Sequence, residues 1–374
     1  MRIAVNTRFL LKDRLEGIGW FTYETMKRIT NEHPEHEFFF LFDRAYDNEF
    51  VFANNVKPIV LNPQARHPFL WYIWFEHSVR RFLEKNSIDI FISTDGYISL
   101  KTKTPQVAVI HDINFFHYPQ ALPFLTRKYY NYFFPKFAYK STRIATVSEF
   151  SKQDISKSYG VSPDKIDVAM NGANELYKPL TNLEILATRN NLTNGKPYFL
   201  FVGAFNPRKN LTRLLQAFDL FKEKTQSDIK LVIVGDKMYG TSTMIKVYNS
   251  MVYKDDVVFT GRLQVDTLRM VVGSTFAMTY VSYYEGFGIP LLEAMKCDIP
   301  IVASNCTSIP EVVGDAALYV DPFSIVSISE GMEKVFYDES LREKLVKNAR
   351  LQREKFSWNF TAHALYSCIL RAVS

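Results

Sequence analysis

Cysteine is scarce. Cys297, Cys306 and Cys368 are the three in 374 residues, odd in number and without a CxxC or CxxH spacing. They suggest neither a disulfide framework nor a zinc site, and they point to a reducing compartment. Long apolar runs are missing too: no stretch reaches the roughly eighteen residues that a spanning helix needs. The opening "MRIAVNTRFLLKDR" sets Arg2, Arg8, Lys12 and Arg14 where a signal peptide would carry its apolar core. A cytoplasmic protein is therefore expected, with contact at the cytoplasmic face of the membrane left open. Charge of one sign is not gathered anywhere. The formal +6 comes from 45 basic and 39 acidic residues spread along the chain, which favours scattered anion contacts over a nucleic-acid surface.

What is present is an ordinary soluble composition, 47% hydrophobic and 22% charged, in a chain longer than one core usually serves. Thirteen short apolar runs alternate with longer segments of helical length, from "RIAVNT", "EFFFLF" and "IDIFIST" to "YFLFVGA", "KLVIVGD" and "ALYVD". Runs rich in Val, Ile and Phe without polar alternation read as strands buried on both faces, which means α/β architecture with parallel sheets. Seven runs precede a polar stretch at 174–197 and six follow it, so that stretch reads as the linker. The expected fold is two Rossmann-like domains facing across a cleft. The first spans 1–178 and is completed by a C-terminal helix, 357–374, crossing back to it; the second spans 183–356.

In open α/β sheets ligands bind beyond the carboxyl ends of strands, and four groups of residues stand there. "LEGIGW" places Gly17 and Gly19 between the first strand and a helix, where bare backbone can approach a phosphate or simply make a tight turn. Trp20, Phe21 and Thr22 follow where a dinucleotide fingerprint needs another glycine. "FVGAFNPRKNL" sets Arg208 and Lys209 at a helix entrance, a position opposed by the helix dipole unless an anion is shared. A diphosphate would supply that anion; a solvated loop pair is the alternative.

"EGFGIPLLEAM" is the third group. Pro290 suits a first helical turn, leaving the amides of Leu291 and Leu292 for a phosphate, with Glu285 in the loop before the helix and Glu293 in its first turn. The two carboxylates would accept hydrogen bonds from sugar hydroxyls on either side of the anion. Dipole compensation by Glu293 and a solvated Glu285 are the plain alternatives. The fourth is "VAVIHDINFFHYP", in which His111 and Asp112 can serve acid-base work, orient a ligand or satisfy a turn. No second ligand stands at metal-binding spacing from them, so no metal site is expected.

Taken in order, these motifs resemble the GT-B retaining glycosyltransferases of family 4, the glycosyl transferases group 1, over nearly the whole chain. "EGFGIPLLEA" is similar to that family's Glu-x7-Glu signature and "VGAFNPRKNL" to its phosphate loop. "AVIHDINFFHYP", "TVSEFSKQDI" and "VASNCTSIPEVVGDAALYVDP" are similar to further landmarks. The resemblance implies a nucleotide-diphosphate sugar as donor substrate, with Glu293 on the ribose hydroxyls and Glu285 on the donor sugar. It implies backbone of Phe287, Gly288, Ile289 and Leu291 along sugar and phosphates, and Arg208 with Lys209 on the diphosphate. Gly17 and Gly19 would approach the donor, His111 would stand near the reacting sugar with Asp112 among the donor-binding residues, and the backbone of Arg262 and Leu263 would read the base. Ala204 follows the phosphate-loop glycine where many members carry Arg.

The resemblance further implies a saccharide or lipid-linked acceptor in bacterial polysaccharide or lipopolysaccharide synthesis, no metal cofactor and no nucleic-acid partner; a GDP-mannose donor is the first candidate. A binding protein without transfer chemistry is the competing class. The segments "HPFLWYIWFEHSVRRFLEKN" and "FLTRKYYNYFFPKFAYKSTR" interleave aromatics with cations as interfacial helices do, although the spacing in the first also fits a core-facing stripe.

Overall fold

The computed structural model describes residues 1–236 and 242–374. Each of the thirteen apolar runs is a strand: β1 (Arg2–Asn6), β2 (Glu37–Phe42), β3 (Val56–Val60), β4 (Ile90–Ser93), β5 (Gln106–Val109), β6 (Arg143–Thr146), β7 (Ile166–Val168), β8 (Tyr198–Val202), β9 (Lys230–Val234), β10 (Val257–Gly261), β11 (Ala277–Tyr280), β12 (Ile301–Ser304) and β13 (Ala317–Val320). Among the described residues they form two sheets, ordered β3-β2-β1-β4-β5-β6-β7 and β10-β9-β8-β11-β12-β13. Their pairings are parallel, as between β1 and β4 or β8 and β11. Both orders reverse direction once, between β1 and β4 and between β8 and β11. In a doubly wound sheet such a reversal opens a crevice at the carboxyl ends of the two strands.

The cores explain why the runs lack alternation. Ile3, Ala4 and Val5, Phe38 to Phe42, and Phe199, Phe201, Leu231 and Ile233 are buried, because helices cover both faces of each sheet. In the helix Leu211–Thr225 the residues Leu214, Leu215, Phe218 and Phe221 recur at helical spacing and are fully buried on the second sheet. Each contributes about 1.5–3 kcal/mol of burial.

The chain divides into a unit of Met1–Gly172 with Ser357–Ser374 and a unit of Ala173–Phe356. The helix Trp358–Val373 belongs to the first unit. Its Asn359 accepts from Arg28 Nε at 2.6 Å, and Trp358 passes so close to Gly172 that a Cβ there would stand 2.5 Å from its amide nitrogen. The stretch 174–197 is not a plain linker. Residues Asn182–Thr193 form a helix opened by a capping box, in which Thr181 and Glu184 bond each other's backbone, and closed by left-handed Asn194.

The first aromatic segment is core from Trp74 onward, with Trp74, Phe75, Val79 and Leu83 buried, and leaves Phe69 exposed near its start. The helix Phe124–Lys140 differs. It buries Tyr129, Phe134 and Phe137 and leaves Phe124, Leu125, Tyr132 and Tyr139 exposed. Among the described residues no helix is long and apolar enough to cross a membrane.

Candidate active site

The switch point of the second sheet is built by two glycines and two loops. Beyond β8 and β9, Gly203 and Gly235 adopt φ of +157° and +144°, and a Cβ on Gly235 would stand 2.1 Å from the Gly203 carbonyl oxygen. Only glycine permits that approach of backbones. The chain then makes a short turn, Pro207–Lys209, and reaches left-handed Asn210, whose Nδ2 donates to the carbonyls of Val281 (2.9 Å) and Pro322 (2.7 Å). The loop after β11 is laced to this turn: Tyr283 N donates to Arg208 O at 2.8 Å, and Arg208 Nη1 donates to Tyr284 O at 2.8 Å.

That lacing brings three of the expected residues together. Glu285 accepts from Arg208 Nη1 at 2.9 Å on one carboxylate oxygen and forms an ion pair with Lys209 Nζ, 2.6 Å from the other, while Lys209 donates to the Tyr280 hydroxyl at 3.0 Å. The Glu285 side chain is 6% exposed, so the alternative of a solvated loop charge is overturned. Burial alone would raise its carboxyl, but Lys209 and Arg208 outweigh burial and hold it at about 2. The loop is fixed from behind, since Ser308 Oγ donates to the carbonyls of Glu285 (2.9 Å) and Phe287 (3.1 Å).

Two details of "EGFGIPLLEAM" need correction. The helix is Ile289–Lys296, capped by Gly288 at φ +109°, so Pro290 is in the first turn but Glu293 is not, which removes dipole compensation as its explanation. The Leu291 amide is not available to a phosphate either, because it donates to Gly288 O at 3.0 Å. Leu291 and Phe287 bury their side chains, Phe287 edge-on to Phe356, and Ile289 is half-buried. Glu293 lies against the Tyr177 hydroxyl, and burial pushes its carboxyl up to about 7 against that hydrogen bond. Arg262 and Leu263 follow β10 on the same carboxyl edge, two strands from β8, with Arg262 exposed.

In the first unit Gly17 and Gly19 are not in a loop. They occupy the first turn of the helix Gly17–Glu32. Gly17 faces open space among the described residues, whereas a Cβ on Gly19 would stand 2.9 Å from Phe9 O, so packing by itself requires a glycine at 19. His111, beyond β5, donates from Nε2 to Thr94 O at 2.9 Å and meets the edge of Phe21. A carbonyl can only accept, so Nε2 carries the proton and Nδ1 is the acceptor of the neutral ring. Burial lowers the His111 pKa despite the Thr94 bond, which favours that neutral form. Asp112 spends Oδ1 on the amide of Asn114 at 2.9 Å, a local turn bond.

The motif reading missed Tyr280, Gly235 and the buried pair Arg8–Asp95. Gly235 had a signal, since "FVGA" and "IVGD" end neighbouring strands with the same dipeptide. One group of potential metal ligands, His33, Glu35 and His36, occurs among the described residues, at the amino end of β2 and so at the edge opposite these sites.

Two doubly wound parallel sheets, each with chemistry-bearing residues at its switch point, define the GT-B class of two-domain α/β enzymes. The chain belongs to the glycosyltransferases of that class: the family described as Glycosyl transferases group 1 matches residues 184–352, and Glycosyltransferase Family 4 matches residues 16–175. The O-antigen chain mannosyltransferase B of Escherichia coli is 30% identical over 67% of this chain and 66% of its own length. For the O-antigen chain mannosyltransferase RfbU of Salmonella typhimurium the figures are 27%, 68% and 67%. The matched region is 28% of a longer relative, the E. coli serotype-specific mannosyltransferase WbdA. Among solved structures, WaaG, a glycosyltransferase involved in lipopolysaccharide biosynthesis, superposes with a TM-score of 0.74 at 15% identity over 98% of this chain and 99% of its own. Anabaena HepE in complex with UDP and glucose superposes with a TM-score of 0.75 at 14% identity over 99% of both chains.

Proposed function

We propose that the chain is a retaining glycosyltransferase that moves a sugar from a nucleotide-diphosphate donor to a saccharide or lipid-linked saccharide in cell-surface polysaccharide synthesis. The observation that carries this reading is the Arg208–Lys209–Glu285 cluster at the second switch point. Two cations on one carboxylate leave an excess of positive charge in a largely buried place. A departing diphosphate supplies the missing negative charge, and cations fixed in advance stabilise it most as the glycosidic bond breaks. In this reading the domain of 183–356 takes the donor, with Glu293 on the ribose and Arg262 and Leu263 at the base. The domain of 1–178, completed by 357–374, takes the acceptor beside His111. The cations do the work that a metal would do, so no metal is required. The mannosyltransferase relatives make GDP-mannose the first donor to try.

The test is to incubate the protein with GDP-, UDP- and ADP-sugars and candidate acceptors and to follow release of free nucleoside diphosphate. Acceptor-dependent release is expected, with retention of anomeric configuration in the product; binding without release would mark a sugar or nucleotide binding protein. A chelator is expected to leave the rate unchanged.

The helix Phe124–Lys140 favours peripheral membrane contact as a second element of this reading. Phe124, Leu125, Tyr132 and Tyr139 are exposed among Arg127, Lys128, Lys136 and Lys140, the mixture that lies in an anionic lipid surface. Cosedimentation with liposomes that does not depend on anionic lipid content would remove this element.

A further inference from the structure

The switch point of the first unit holds a buried arginine that donor chemistry leaves unexplained. Arg8 stands two residues past β1; its side chain is 5% exposed, and Nε donates to Asp95 Oδ2 at 2.6 Å. Asp95, two residues past β4, is satisfied on its other oxygen by Asn6 Nδ2 (2.8 Å), Ser93 Oγ (2.9 Å) and the Tyr97 amide (3.3 Å). The terminal nitrogens Nη1 and Nη2 of Arg8 have no hydrogen-bond acceptor among the described residues. The guanidinium carbon instead lies 4.3 Å from the ring centre of Tyr97, 5.0 Å from Phe9, 5.4 Å from Phe75 and 6.0 Å from Trp71.

For stability alone this is a poor arrangement. Most of this charged side chain is packed among rings while its terminal nitrogens are left to the small exposed part, and an apolar side chain of similar volume would pack such rings without the cost of burying a charge. A guanidinium held at one end and open at the other, at a strand switch, is built to be completed by a ligand. The charge decides the ligand class. Asp95 cancels Arg8 at close range, so an anion finds little net field there, whereas a hydroxyl oxygen needs only a donor. Phe9, exposed beside the guanidinium, offers an apolar face. Donors beside an aromatic face match a pyranose, with hydroxyls on its rim and C–H groups on its face.

We propose that Arg8 and Phe9 form the subsite for a neutral pyranose unit of the acceptor, with Nη1 and Nη2 donating to sugar hydroxyls. The sheet order supports an acceptor in place of the donor. β5 lies beside β4, and Thr94, next to Asp95, anchors His111 through its carbonyl. The subsite therefore adjoins the histidine set beside the reacting sugar, and in that respect it rests on the functional reading above.

Arg8→Lys keeps the charge and can keep the bond to Asp95 but loses the fork; Phe9→Ala removes the exposed ring without touching the pair. Full-length protein is titrated with a panel of neutral gluco-, galacto- and manno-disaccharides, with inorganic phosphate, and separately with GDP, UDP and ADP. The wild type is expected to bind at least one disaccharide. Arg8→Lys and Phe9→Ala should each weaken it at least about tenfold, while nucleoside diphosphate affinity stays within about twofold and the melting temperature is kept. The proposal is overturned if no disaccharide binds, if both folded variants keep wild-type affinity, or if Arg8 proves to govern phosphate instead. Should Arg8→Lys not fold, Phe9→Ala decides alone. Failure of the wild type to bind any nucleoside diphosphate would sink the glycosyltransferase reading instead, and is read independently.

Discussion

The two switch points are built on the same plan and carry different charge balances. In the second unit, Arg208 and Lys209 share the carboxylate of Glu285, two positive charges on one negative. In the first, Arg8 meets Asp95, one on one. A crevice with surplus cation suits a phosphate leaving group, and a neutralised one suits hydroxyls. One strand order, used twice, thus carries two different charge balances on the side chains it places two to seven residues past its strands.

The largest effect that would break this comparison is steric. Gly235→Ala puts a methyl 2.1 Å from the Gly203 carbonyl at φ +144°, where neither backbone can yield without parting β8 from β9. A loss of about 3 kcal/mol or more in urea unfolding is expected. A wild-type unfolding curve would mean that the glycines do not shape the second switch point.

Next come the charges. Lys209→Ala makes the second cluster neutral, like the first, and Glu285→Gln strips the cations of the partner that positions them. Each should lower turnover about a hundredfold with the fold retained, on the order of 2.7 kcal/mol in transition-state stabilisation. Near-normal rates in both would show that the charge surplus has no catalytic use.

A tenfold effect is expected from pH. The Glu293 carboxyl is raised to about 7 by burial, so its ionised, hydroxyl-accepting form grows about tenfold between pH 6 and pH 8, and donor affinity should rise with it. Stability moves the other way. A raised carboxyl contributes fully below its ordinary range near 4.5 and loses that contribution as pH climbs through 7. Glu285, held at about 2, contributes above its ordinary range and loses it only as pH falls toward 2. The lowered His111 adds stability over part of the same window, so the comparison is with the variant: between pH 5 and pH 8 in urea unfolding, the wild type should lose stability relative to Glu293→Gln, and equal slopes would contradict the raised value.

What could be read beforehand follows the same physics. The strands were legible because both faces are buried, which writes unbroken apolar runs such as "EFFFLF" into the chain. The helix Asn182–Thr193 was not, because Leu183 and Leu186 face solvent and leave no stripe; its one signal was the Thr-x-x-Glu box at Thr181 and Glu184. Arg208, Lys209 and Glu285 were individually legible as strand-end charges, but their mutual pairing depends on loops laced by Tyr283 and Asn210, which no local pattern records. Arg8 and Asp95 obey the rule that found the others, two residues beyond apolar runs, and went unread because each looks like an ordinary surface charge.

The smallest effect sharpens the comparison within one helix turn of the first unit. Gly17 and Gly19 share a motif but not a packing constraint: among the described residues nothing stands within 4 Å of a Cβ on Gly17, while Gly19 would meet the Phe9 carbonyl at 2.9 Å and Leu15 Cδ2 at 3.1 Å. Gly17→Ala should therefore leave stability unchanged or raise it by up to about 0.5–1 kcal/mol, because alanine lowers the chain entropy lost on folding. Gly19→Ala should cost about 1 kcal/mol or more, since a backbone carbonyl must give way. Kinetics then separate packing from ligand approach. If Gly17 is bare so that a donor can come close, Gly17→Ala raises the donor KM in a protein that melts no lower than the wild type. An unchanged KM in that same stable protein would reduce Gly17 to a helix residue with no part in the site, and leave Gly19 as the only glycine of the pair with a physical reason to be there.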